Sequence, residues 1–256
     1  MKVKAQRPAV ALALSALSCM VLTAAPALAG DDAAGQALAE KIRSSMPEEN
    51  SEIHGTLLID SPNGRREIPV VCQVKVREQT WETIYQAAAT SQSGAERLII
   101  THATLGPNQY LYARAATPTA PLPEAGPVLP PALSGPFAGS DFSLGDLGLE
   151  FLHWPGQSQL KGQMRLGQPC YVLESANSPA NFPADAVARV KSYIDKESGS
   201  LLIAEACDAK GGLIKKFSLH GSSFKKVNGR WRLEKMEIQN EKTGSHTVLK
   251  FDMPKD

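Results

Sequence analysis

The chain has 256 residues, room for one large domain or two small ones, with 27 Lys and Arg against 26 Asp and Glu. That balance excludes the basic footprint a nucleic-acid binder needs. Four cysteines in this length exclude a disulfide-stapled scaffold.

The first residues are those of an export signal. Lys2, Lys4 and Arg7 form a basic start, Pro8 to Ala25 is almost wholly apolar, and Ala27-Leu28-Ala29 supplies the small-x-small pattern of a cleavage site. Residues 1–29 are therefore expected to be a signal peptide, with a mature chain starting at Gly30. An uncleaved anchor is the alternative, since Pro8 to Ala29 nearly reaches a membrane span. Cys19 invites a lipoprotein reading, but in Ala16-Leu17-Ser18 the leucine lies one place too close to it. After cleavage Cys72, Cys170 and Cys207 remain, an odd number at spacings that fit no zinc or redox motif. One disulfide or buried free thiols both satisfy that count.

Asp31 to Met46 reads as an amphipathic helix, with Leu38, Ile42 and Met46 on one side and Pro47 as its stop. Strands follow. Thr56 to Asp60 enters Ser61-Pro-Asn-Gly64, a hairpin turn. Ile68, Val70, Cys72, Val74 and Val76 then alternate with Pro69, Val71, Gln73, Lys75 and Arg77, the clearest period-2 run in the chain. Cys72 falls on the apolar face and is expected to be structural. Trp81, Thr83 and Tyr85 continue the period, and Leu98–Thr101 and Tyr110–Arg114 complete a first group of strands.

Residues 117–139 hold seven prolines and three glycines in 23 positions and read as a connector. They deliver the chain to Gly139–Trp154, the expected central helix. Ser140 or Asp141 can cap it, and Ser143 with Asp146 has capping-box spacing. Leu144, Leu147, Phe151 and Trp154 would share one side, while Gly145 and Gly148 cost about 1 kcal/mol each relative to Ala. Such a segment is either a fixed plug in a sheet core or a movable lid over an apolar cavity.

The remainder is strand-rich: Leu160–Leu166, Pro169–Glu174, Val187–Asp195, Leu201–Asp208, Leu213–His220, Arg230–Gln239 and Thr247–Phe251, separated by turns such as Asp208-Ala-Lys-Gly-Gly212, Val227-Asn-Gly229 and Lys242-Thr-Gly244. In Arg230–Gln239 the apolar parity changes between Leu233 and Met236, as a β-bulge requires. The two groups of strands read as one curved sheet. Chemistry is sparse. His54, His102, His153, His220 and His246 are scattered, and no nucleophile elbow, phosphate loop or dinucleotide fingerprint occurs. His153 reads as a helix-end group. Lys225, Lys226, Arg230, Arg232 and Lys235 read as a solvated strand face, with an anionic partner as the sharper alternative. No catalytic residue, metal site or cofactor is expected.

Gly139-Ser-Asp-Phe142, Cys170-Tyr-Val-Leu-Glu-Ser175, Ile194-Asp195, Ala204-Glu-Ala206, Asp208-Ala-Lys-Gly211 and Lys225-Lys-Val-Asn-Gly-Arg-Trp231 occur in an order that resembles the LolA-like outer-membrane lipoprotein-sorting proteins, in their uncharacterised bacterial branch. Met236-Glu-Ile-Gln-Asn240, Thr243-Gly-Ser245 and the earlier Trp81-Glu-Thr-Ile-Tyr85 extend the likeness. Cys207 departs from it, standing where an aromatic residue is expected. The resemblance implies a mainly β fold with a few helices: an unclosed antiparallel β-barrel, one domain over residues 30–256, with the N-terminal helix and the 140–154 lid helix covering an apolar concave face. It implies a periplasmic, non-enzymatic carrier for lipid or lipoprotein acyl chains, expected to be a monomer, with an inner-membrane exporter or outer-membrane acceptor as its partner. The chain would meet its ligand through Leu144, Leu147, Phe151 and Trp154 of the cover and Val70, Val74, Trp81 and Tyr85 of the sheet. The alternative is an interaction or sensor module that uses the same half-barrel to hold a partner protein.

Overall fold

The computed structural model describes residues 31–104, 106–177, 186–219, 223–227 and 230–253. The expected signal peptide, Cys19, His220 and the Asn228-Gly229 turn lie outside the described residues. Among those described, no helix is long and apolar enough to cross a membrane.

Period-2 sequence becomes a meander. β1 (Ser51–Ser61) and β2 (Gly64–Val76) form a hairpin through Asn63-Gly64, and Gly64 takes φ +112, a value that favours glycine. β3 (Thr80–Ala87), β4 (Glu96–Ala103) and β5 (Gln109–Arg114) each pair antiparallel with the strand before, and the short β6 (Gly126–Pro127) adds to β5. The second run is β7 (Gly156–Arg165), β8 (Gln168–Ala176), β9 (Arg189–Asp195), β10 (Leu201–Cys207) and β11 (Leu213–Ser218). It ends with the hairpin β12 (Phe224–Val227) and β13 (Arg230–Leu233), then β14 (Lys235–Asn240) and β15 (Ser245–Phe251).

β1 pairs with β15 from Gly55 opposite Phe251 to Asp60 opposite His246, and this joins the two runs. The result is one 13-stranded sheet, order β6-β5-β4-β3-β2-β1-β15-β14-β11-β10-β9-β8-β7, whose end strands do not pair. It is an unclosed antiparallel barrel, as expected.

One face carries two cores. In the first, Leu57 stands opposite Ile68 on one side and Leu249 on the other, with Leu98, Ile100 and Ile238 nearby. The second gathers Leu173, Val190, Ile194, Ala204 and Ala206. The helix α1 (Asp32–Arg43) lies over β7 at this end, with Ala39 fully buried and Leu38 and Ile42 packed beside it. It lies so close that a Cβ on Gly35 would sit 2.5 Å from the Gln157 carbonyl oxygen. Just before it, Asp31 exchanges two backbone hydrogen bonds with Gln159, extending the sheet past β7 at that one point. The helix stops at Arg43 with Ser44 as its C-cap, short of Pro47.

Three expectations need correction. Residues 140–154 are not one helix. They form a single turn, α2 (Leu144–Leu147), and a 3-10 turn, Glu150–His153, because Leu149 between them is left-handed at φ +51 and breaks the helical ladder. Arg230–Gln239 is not one bulged strand. It breaks at Glu234, and β13 pairs with β12 in a separate two-stranded sheet while β14 joins the main one. The parity change marks a strand leaving one sheet for another. The 117–139 connector is more than loop: it contributes β6, a 3-10 turn at Pro130–Ser134, and Phe137, which is 1% exposed in the first core.

Candidate functional site

The cover over the sheet has two halves with different anchorage. In the first, residues 135–144 close on themselves through hydrogen bonds from Phe137 N–H to the Phe142 carbonyl (2.9 Å) and from Leu144 N–H to the Gly135 carbonyl (3.0 Å). The sheet holds this loop by its tip. Glu96 is 2% exposed, and its Oε2 accepts from Ala138 N–H and Tyr112 O–H, both at 2.7 Å, while Oε1 lies 3.4 Å from Arg114. Arg66 donates to the Gly139 carbonyl at 2.7 Å, and Asp141 accepts from Ser245 and Thr247 of β15. Phe137, Phe142 and Leu144 are thereby fixed in the first core.

The second half, from Asp146 to Trp154, rests on the second core. Ser143 and Asp146 form the expected capping box at 3.1 and 2.8 Å. Asp146 also pairs with Lys215, which reaches up from β11. Gly148 is pressed against Tyr110: a Cβ there would lie 2.2 Å from the phenol oxygen, so no larger residue fits unless Tyr110 moves. Asn108 donates to the Gly148 carbonyl and Tyr110 to Glu150, both at 2.9 Å. Beyond them Arg43 of α1 donates to the Leu152 carbonyl, and Gln157 to the carbonyls of Phe151 and Trp154, each at 3.0 Å. This half is tied down mainly by side chains, each bond worth about 0.5–1.5 kcal/mol net, and no strand ladder crosses it.

A cavity of about 40 Å³ lies under this second half. Leu149 and Phe151 roof it, and its floor is short because Val190, Ala204 and Ala206 stand there. Asp146 and Lys215 line its side. A separate open cleft of about 410 Å³ has Ile53 and Met253 with Glu52, His54, Arg232 and Asp252 around it.

The residues expected to meet a ligand are divided between these regions. Val70 and Leu144 are buried in the first core, with Leu147 and Tyr85 packed against it and the Tyr85 ring edge-on to Phe137 at 6.2 Å. Val74 is half-buried opposite Thr83. Phe151 and Trp154 belong to the second core, and of the eight expected residues only Phe151 borders the small cavity. Trp81 instead stacks on His102 at 4.9 Å. Lys215 is absent from the expected set. Its signal was available: in Leu213–Ser218 it shares parity with the inward Phe217.

A polar chain runs beside the cover. His102 hydrogen-bonds Thr83 at 3.2 Å and Asn108 at 3.1 Å, and Asn108 reaches Tyr110, which reaches Glu150. Burial lowers the His102 pKa to about 4 against a hydrogen bond from Asn108, and burial with the charge of Arg43 lowers His153 to about 4. Burial raises Glu150. The donors and acceptors of this chain satisfy one another, and the cavity is not lined by them. Among the described residues no cluster of His, Cys, Asp or Glu is placed to hold a metal.

Cys72, Cys170 and Cys207 are free thiols. Burial pushes the Cys72 thiol up to about 12 from 9.0, leaving about a thousandfold fewer thiolates than an ordinary cysteine at the same pH. Native Cys72 should accordingly react with iodoacetamide at least about a hundredfold more slowly than in the unfolded chain. Equal rates would show that β2 does not protect it.

The sequence comparisons agree with this architecture. A family model described as an uncharacterized protein matches residues 78–255. The chain belongs to that family. It is an uncharacterised branch of the LolA-like proteins. Three solved structures have the same fold. A DUF1329 family protein from Desulfovibrio piger is 16% identical, with 87% of this chain and 92% of that one covered at a TM-score of 0.67. A putative outer membrane lipoprotein-sorting protein domain from Vibrio parahaemolyticus is 19% identical, with the same coverage and a TM-score of 0.67. A LolA superfamily protein from Nitrosomonas europaea is 15% identical, covering 88% and 96%, at a TM-score of 0.51. No curated protein matches the sequence. The LolA-like half-barrel is thus established for this chain by its fold, and its ligand is not named by any relative.

Proposed function

We propose that this LolA-like protein is a periplasmic, non-enzymatic carrier or binding protein for the acyl chains of lipids or lipoproteins, working as one binding unit over residues 30–256. The observation that carries the reading is the contrast within the cover. Its first half is set into the first core, whereas its second half lies over a short-floored apolar surface and is held by side-chain ties. A cavity of about 40 Å³ is far below the roughly 300–1,000 Å³ of a ligand pocket. Binding therefore requires the second half to lift, with Gly148 and Leu149 as the point of flexure. Ligand contacts would then replace those that Phe151 and Trp154 make with the sheet.

Native mass spectrometry of the protein purified from an envelope fraction tests both place and cargo, and a bound lipid is the expected result. Phe151→Ala and Trp154→Ala should bind a fluorescent fatty acid several-fold more weakly. The filled first core favours a second reading, a module that holds a partner protein on its surface. A spectrum without lipid, together with no probe uptake by the wild type, would leave that reading and remove the first.

A further inference from the structure

We propose that the ligand of the second core is an anionic amphiphile, a single acyl chain with one carboxylate or phosphate head, and that Lys215 binds the head in the place now taken by Asp146. This rests on the acyl-binding reading above and adds the charge of the ligand to it.

The argument begins with where Lys215 stands. On β11 it faces Ala206 of β10, whose own neighbour on β9 is Val190, so its stem crosses the apolar floor of the cavity. Its side chain is only 13% exposed. Asp146 is its ion-pair partner and the only other charged group lining the cavity. An ammonium in such a place is stable when it is paired and costly when it is not. Asp146 belongs to the part of the cover that has to rise. Its carboxylate would leave with α2, where the Ser143 N–H already holds it, and Lys215 would remain on the sheet without a counter-charge. A ligand that brings its own anion makes the exchange charge-neutral. An uncharged ligand does not. Asp146 thus imitates the head group in the closed state, and Leu149 and Phe151 occupy the position of the tail.

Affinities for oleate, 1-oleoyl-lysophosphatidylglycerol and oleyl alcohol, each below its aggregation concentration, test this in the mature protein and in Lys215→Met and Asp146→Asn. The wild type should prefer the anionic probes over the alcohol by about tenfold, the scale of one charged hydrogen bond. Lys215→Met should lose that preference and keep its affinity for the alcohol. Asp146→Asn removes the competitor and keeps an oxygen for the Ser143 N–H, so it should bind the anions more tightly. The tighter of the two anions identifies the source as carboxylate or phosphodiester. Equal binding of alcohol and anions by the wild type, or an undiminished preference in Lys215→Met, overturns the head-group assignment and leaves acyl binding standing. Failure of all three probes to bind overturns both.

Discussion

Phe137→Ala should cost about 3–5 kcal/mol of folding stability, the range for a buried phenylalanine in a packed core, and Phe151→Ala should cost clearly less. The side chains have the same size and differ in surroundings. Phe137 is 1% exposed, lies edge-on to Tyr85, and is flanked by backbone that Glu96 and Arg66 hold in place. Its removal leaves a void that a tethered loop does not collapse into. Phe151 already borders a cavity and sits on a 3-10 turn hung from side chains, so the segment around it is free to settle. Denaturant unfolding of the two variants measures the difference. Equal losses would mean that the cover is one rigid plug, and the lid that acyl binding requires would be lost with it.

Acidification from pH 6.5 to 4 should destabilise the protein by about 2–3 kcal/mol through His102. The sign follows from the lowered value. His102 titrates near 4 in the folded protein against 6.5 ordinarily. Between these values the unfolded chain binds a proton that the folded one refuses, so stability present above pH 6.5 is lost as pH falls toward 4. The groups around His102 are Trp81, Thr83 and Asn108, none of them an acid, with His153 adding repulsion. His153 acts in the same direction beside Arg43, with a smaller effect because water screens it. Glu150, raised by burial, works oppositely: it favours the folded state in acid and loses that advantage as pH rises through its folded value. Melting temperature against pH, in wild type and His102→Gln, separates these contributions. A variant with the same slope as the wild type would remove His102 from the account. Since Asn108 and Tyr110 bind Gly148 and Glu150, the loss should begin in the second half of the cover, visible as faster amide exchange there.

The sequence by itself determined what depends on neighbours along the chain. The alternation from Ile68 to Val76 determined β2 and its core face, Asn63-Gly64 the first hairpin, and Ser143 with Asp146 a helix start. The ordered motifs of the second half carried the likeness to the LolA-like proteins, and the unclosed barrel follows it. Only the tertiary structure decided how far that helix runs. Four apolar residues at helical spacing predict a stripe, but Tyr110 against Gly148 and the left-handed Leu149 divide it, sending Leu144 and Leu147 to one core and Phe151 and Trp154 to the other. The union of the two runs of strands was likewise decided by β1 meeting β15, nearly the whole chain apart. So was the partner of Asp146, which looks like a capping residue in sequence and proves to be the counter-charge of Lys215. The reason is one of range. Propensity and periodicity act over one or two turns of chain, whereas a close approach or an ion pair is set by packing between segments that sequence distance does not order.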